Sequence, residues 1–118
     1  MEQYLEVKGA TLIVKLPGEI DHHNAEEIKD AVDKTLQRRM VRMVVFDFAR
    51  TVFMDSSGVG MLMGRYKMMR FMGGNVIAVH VNERMRKVLK LSGIYKIIDI
   101  YDEMPAGMEV EGNGYAAK

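Results

Sequence analysis

The sequence predicts an α/β domain built on a small mixed sheet of four to five strands, opened by an antiparallel edge hairpin and packed with about four α-helices. Three observations carry this prediction. Two short apolar runs flank a glycine near the amino terminus. Beyond them, stretches of helical period and continuous apolar runs take turns along the chain. Strands joined through helices lie parallel, with right-handed crossovers. The 118 residues make one domain, enough for one core and too few for an appended catalytic domain. Residues 1–110 are expected to form it, and 111–118, "EGNGYAAK", to fray.

Tyr4–Val7 and Thr11–Leu16 surround "KGA". Alternation of Leu12, Val14 and Leu16 with Thr11, Ile13 and Lys15 predicts a strand, and the glycine a hairpin. Pro17-Gly18 breaks the second strand. From Asp21 the period changes: Ala25, Ile28, Val32 and Leu36 recur at helical spacing, with Asp21 or Asn24 as cap and Glu26 and Glu27 in the first turn. Met43–Phe48 is nearly all apolar and predicts a central strand covered on both faces. A Ser/Gly turn then opens a helix of about four turns, ended by Gly73-Gly74. "NVIAVH" is a further strand, "NERMRKVLKLSG" a helix capped by Asn82 and stopped at Gly93, and "KIIDI" a last strand. "DEMPAGMEV" is expected to be a terminal helix or turn.

Composition excludes several classes of function. Net charge is +1 and the basic residues are scattered, whereas a nucleic-acid binder concentrates them on one face. With no cysteine there is no disulfide, thiolate metal site or cysteine nucleophile, which fits a cytoplasmic protein. "MEQYLEVKGA" lacks the basic and apolar regions of a signal peptide, and no apolar run approaches the roughly 20 residues of a membrane span. "DHHNAEE" places adjacent histidines about 100° apart on a helix, so no metal site is expected.

The chemistry concentrates in "FMDSSGVGMLMGRYKMM", residues 53–69, where a buried strand turns into a helix. That edge of an α/β sheet collects ligands, because first-turn N–H groups point outward there. Asp55, Ser56 and Ser57 are all capping types, and one cap suffices. A P-loop requires a lysine after its glycines, and none follows. A hydrolase elbow requires glycine where Asp55 stands, and local sequence brings no histidine near Ser57. What remains is a serine that is acted upon: a hydroxyl at a helix start, with Gly58 and Gly60 admitting another protein's backbone.

At about 100° per residue, Val59, Leu62, Met63, Tyr66 and Met69 share the face expected against the sheet. Met61, Met68 and Met72 fall on the opposite side, with Gly64 near them. This stripe is either a partner-binding surface or the seat of another helix.

Taken together, "LPGEIDHHNAEEI", "FMDSSGVGMLMGRYKMM" and "LSGIYKIIDIY" resemble the STAS domain, shared by anti-sigma-factor antagonists and the cytoplasmic tails of sulfate transporters. The resemblance covers about residues 2–110 and is nearest to antagonists of the sporulation type; "DSSG" alone marks only the wider family. It implies a non-enzymatic regulator without cofactor, which binds an anti-sigma factor that is also a serine kinase and so frees a sigma factor. In such proteins the kinase, carrying ATP or ADP, phosphorylates the second serine of the motif, here Ser57, and a PP2C-type phosphatase reverses it. The resemblance implies Asp21 in the partner surface; together with the readings above, the expected surface comprises Asp21, Asp55, Ser56, Gly58, Gly60, Met61, Gly64 and Met68. Neither nucleic acid nor membrane is an expected partner. Methionine enrichment, and Val59 where leucine is commoner, depart from the family pattern. The other reading of the same residues is a module sensing a nucleotide or small anion at the Ser56-Ser57-Gly58 helix start.

Overall fold

The computed structural model describes residues 4–106. Strands β1 (Leu5–Lys8) and β2 (Thr11–Lys15) form the expected antiparallel hairpin. Gly9 turns it at a φ of 59°, a left-handed conformation that costs glycine little. β3 (Glu19–Ile20) leads into α1 (His22–Arg38), then come β4 (Met43–Asp47), β5 (Phe53–Met54), α2 (Ser56–Phe71), β6 (Asn75–Val79), α3 (Glu83–Leu91) and β7 (Asp99–Ile100). The main sheet has the order β1-β2-β4-β6-β7, all parallel beyond the hairpin. β3 and β5 pair in a separate two-stranded parallel sheet that period alone did not predict, since two residues carry no period.

From β2 through β4 and β6 to β7 the sheet always grows in one direction. Right-handed crossovers then put every helix on the same face. That face presents Leu12, Val14, Val44, Phe46, Val76 and Ala78 to α1, α2 and α3. The opposite face presents Ile13, Val45, Ile77 and Val79, with Tyr101 and Met104 packed against them. Both sets are buried, which explains why Met43–Phe48 is apolar without alternation.

Three helices form among the described residues, not about four. Ile94–Lys96 is a 3₁₀ turn, and residues 102–106 form no helix. The rest of the expected terminal element and the tail, residues 107–118, lie outside the described residues. In α1 the buried residues are Ala25, Ile28, Val32 and Leu36, the set the period predicts. The helix begins at His22, so Glu26 and Glu27 fall one turn later than expected. Asn82 caps α3, and Gly93 follows its end at a φ of 84°. Among the described residues no helix is long and apolar enough to cross a membrane.

Candidate functional site

Two segments leave the carboxyl ends of β2 and β4 and run side by side. The Thr51 hydroxyl donates to the Pro17 carbonyl at 2.8 Å. The Val52 N–H donates to the Gly18 carbonyl at 2.8 Å, and the Asp55 N–H to the Ile20 carbonyl at 3.1 Å. Glu19 stands opposite Phe53, and Ile20 opposite Met54. One step on from each strand is an aspartate, and each caps the helix that follows. The Asp21 carboxylate accepts from the Asn24 N–H at 3.0 Å, and Asn24 Oδ1 accepts in return from the Asp21 N–H at 2.8 Å. Asp55 Oδ1 accepts from the N–H groups of Ser57 at 2.9 Å and Gly58 at 3.3 Å. The small sheet thus sets the starts of α1 and α2 beside each other.

Neither serine is the cap. Asp55 is the last residue in extended conformation, so its carboxylate reaches the first-turn donors, and Ser56 and Ser57 already belong to the helix. Ser56 is exposed. Ser57 is half-buried, and its Oγ lies 3.4 Å from Nδ1 of His22, the first residue of α1. Sequence reasoning missed this histidine because it is 35 residues away. The available signal was parallel construction: "DHH" and "DSS" each start a helix just after neighbouring parallel strands.

Gly58 serves the fold rather than a partner. It is buried, and a Cβ there would collide with Met54 Cγ, approach Met54 Sδ to 2.8 Å and meet Ile20 Cγ2 at 3.0 Å. Its missing side chain lets α2 lie against β3 and β5. Gly60 is exposed and Gly64 half-buried, and a Cβ on either would meet nothing within 4 Å.

The predicted inward face of α2 does pack on the core, with Leu62 and Met69 buried and Val59, Met63 and Tyr66 against it. The centre of the buried arc, however, lies roughly 75° away, at about 100° per residue. The buried residues are Gly58, Met61, Leu62, Arg65 and Met69. Met61 is 5% exposed and Met68 packs on the core, so these two residues of the expected outward stripe face inward; Met72, past the helix end, is exposed. Glycine and arginine at the centre of the buried arc carry no apolar weight, which drew the apparent face toward Val59 and Met63. Arg65 belongs there because Asp33 of α1 meets its Nε at 3.1 Å. The outward line is instead Ser56, Gly60, Lys67 and Phe71.

Asp21, His22, Asp55, Ser56 and Ser57 therefore share one edge, flanked by the exposed Val52 and Phe53. The arrangement offers a hydroxyl and does not offer an anion site. The donors that would bind an anion or an oxyanion at α2, Ser57 N–H and Gly58 N–H, are held by the Asp55 carboxylate, which also repels negative charge. The same occupancy weighs against a serine hydrolase, even with His22 beside Ser57.

Residues 3–106 match the STAS domain family. The chain is a STAS domain. The anti-sigma F factor antagonist of Paenibacillus polymyxa is 39% identical to it over 91% of this chain and 92% of that protein. This STAS domain also superposes on the anti-sigma factor antagonist SpoIIAA in its unphosphorylated form, with a TM-score of 0.74 and 32% identity, covering 81% of this chain and 84% of that one. The phosphorylated form of the Bacillus cell fate determinant SpoIIAA gives a TM-score of 0.66 at 34% identity, covering 81% and 87%. By these likenesses the STAS domain stands with the anti-sigma-factor antagonists rather than with the transporter tails.

Proposed function

We propose that this STAS domain is an anti-sigma-factor antagonist of sporulation. Its unmodified form binds an anti-sigma factor that is also a serine kinase, and so releases the sigma factor; phosphorylation of Ser57 ends the binding. The observation that carries the reading is the Ser57 hydroxyl, left uncommitted by the cap and set at the joined starts of α1 and α2. The solved neighbour SpoIIAA, known in unphosphorylated and phosphorylated forms, supports it.

The chain itself is no enzyme in this scheme and holds no cofactor. ATP arrives with the kinase, a PP2C-type phosphatase removes the phosphate, and the cycle runs in the cytoplasm. The docking surface is the edge bearing Asp21, Asp55, Ser56 and Ser57, continued along Gly60 and Gly64, with Met68 at its margin. Incubation with ATP and a purified anti-sigma kinase, read by intact mass and peptide mapping, tests the proposal. One phosphate on Ser57, absent in Ser57→Ala although that variant still binds the kinase, is the expected result. Phosphate on Ser56, or none at all, would overturn the assignment.

A further inference from the structure

From Leu16 to Ile28 and from Thr51 to Gly64, the two segments that build this edge, the sequence contains no lysine or arginine. It does contain Glu19, Asp21, Glu26, Glu27 and Asp55. A phosphate on Ser57 would bring about −1.5 to −2 charge to a place already holding two capping carboxylates. Lys15, Lys29, Arg50 and Arg65 border these segments, and within them the groups able to become cationic are His22 and His23. His23 leans the other way, with Nε2 3.9 Å from Glu27. His22 faces Ser57, with Nδ1 3.4 Å from the oxygen that would carry the phosphate.

We propose that His22 is the intramolecular counter-charge of phosphorylated Ser57. The inference rests on the reading of Ser57 as the phosphoacceptor. In the unmodified protein the Ser57 hydroxyl and Nδ1 of His22 lie within hydrogen-bond distance, which holds the hydroxyl toward the α1 side. After modification the hydroxyl proton is gone from Oγ, and the imidazole, once protonated, donates to a phosphoryl oxygen. An unperturbed imidazole titrates near 6.5 and a phosphomonoester's second proton near 6, so the two titrate as a coupled pair. Attraction between imidazolium and dianion moves the pair's steps apart, with the upper step centred on the imidazole. Glu19, Asp21 and Glu26 lie within four residues of His22, and Asp55 caps the helix start it faces, before and after modification. Their contribution is common to both states and cancels in the comparison. His22 is thus a positioning residue: it holds the hydroxyl in one state and offsets part of the phosphate's charge in the other.

The test uses full-length protein with phosphoserine installed at position 57 during synthesis, so that no kinase is involved. Imidazole titrations followed by NMR should show the His22 midpoint rising by about one unit or more on phosphorylation. The midpoints of His23 and His80 should stay in place. In the phosphorylated His22→Gln variant, the phosphorus resonance should titrate at higher pH than in the phosphorylated parent. An unchanged His22 midpoint, or the same phosphorus titration in both proteins, would overturn the proposal. The first measurement needs no substitution, so it stands even if His22→Gln fails to fold. A kinase that ignores Ser57 would refute the proposed function and leave this result intact.

Discussion

Asp55, Ser56 and Ser57 are adjacent and chemically similar as helix caps, yet the chain uses only the first. The Asp55 backbone is extended, at φ −93° and ψ −173°, and its carboxylate takes two first-turn N–H groups. Ser56, one step later, is exposed. Asp55→Ala should therefore cost about 1 kcal/mol of stability, the usual worth of such a cap. Ser56→Ala should stay within about 0.5 kcal/mol, as exposed substitutions do. Urea unfolding of the two variants checks the pair, and a larger loss at Ser56 would return the cap to the serine. All three capping types were legible in the sequence. Which one caps was not, because that depends on where the backbone leaves the extended region, and β5 is only two residues long. The choice of Ser57 came from family resemblance, and its partner His22 from neither source.

Among the elements, α1 and α2 were read with unequal success for one physical reason. In α1 the buried positions are all apolar, so period and burial coincide. In α2 two of the five buried positions are Gly58 and Arg65, and an apolar pattern cannot see them. A glycine is buried for closeness, and an arginine for its aspartate, here Asp33 at 3.1 Å. The corrected phase is directly measurable. Met61→Ala empties a buried position and should cost about 2–5 kcal/mol, as core methionine truncations do. Lys67→Glu, on the outward line, should change stability by less than about 0.5 kcal/mol. Chemical denaturation of both variants decides it: near-equal, small effects would restore the methionine stripe to the surface. The hairpin and the parallel strands joined through helices followed from the alternation of elements, whereas the strand order, and with it the one-sided placing of the helices, came from the structure. So did the two-residue strands β3 and β5, although they position the site.

For the whole molecule, the proposed phosphorylation would set local electrostatics against a fold that has little reason to change. An α-helix start favours an anion by about 0.3–1 kcal/mol. Asp55 and Asp21 oppose it by a comparable, screened amount. The modified protein should therefore keep its far-UV circular dichroism and its thermal midpoint to within a few degrees. Docking is different, since it would bury a doubly charged group that the unmodified complex never holds, at a cost of several kcal/mol unless the partner supplies a cation. Affinity for the nucleotide-loaded kinase should fall at least about tenfold, which is about 1.4 kcal/mol. Binding by titration calorimetry, with circular dichroism on the same samples, separates the two statements. Equal affinity of the two forms would end the switch reading, and a large spectral change would end the local mechanism alone.

The ladder between β3 and β5 also sets an order of events in the life of each chain. It joins residues 34 apart, through the Thr51–Pro17 hydrogen bond, and the His22–Ser57 contact spans 35. Such closures bring together parts of the chain separated by α1 and β4, and long-range pairings of this kind form slowly compared with helical turns. A nascent, damaged or unfolded copy carries the same "DSSG" letters without the neighbouring helix start that accompanies them. A kinase that reads the assembled edge, as proposed, would read maturity as well as identity. Under the proposed function, copies that have not finished folding would be silent in the circuit, neither consuming ATP as substrates nor titrating the kinase.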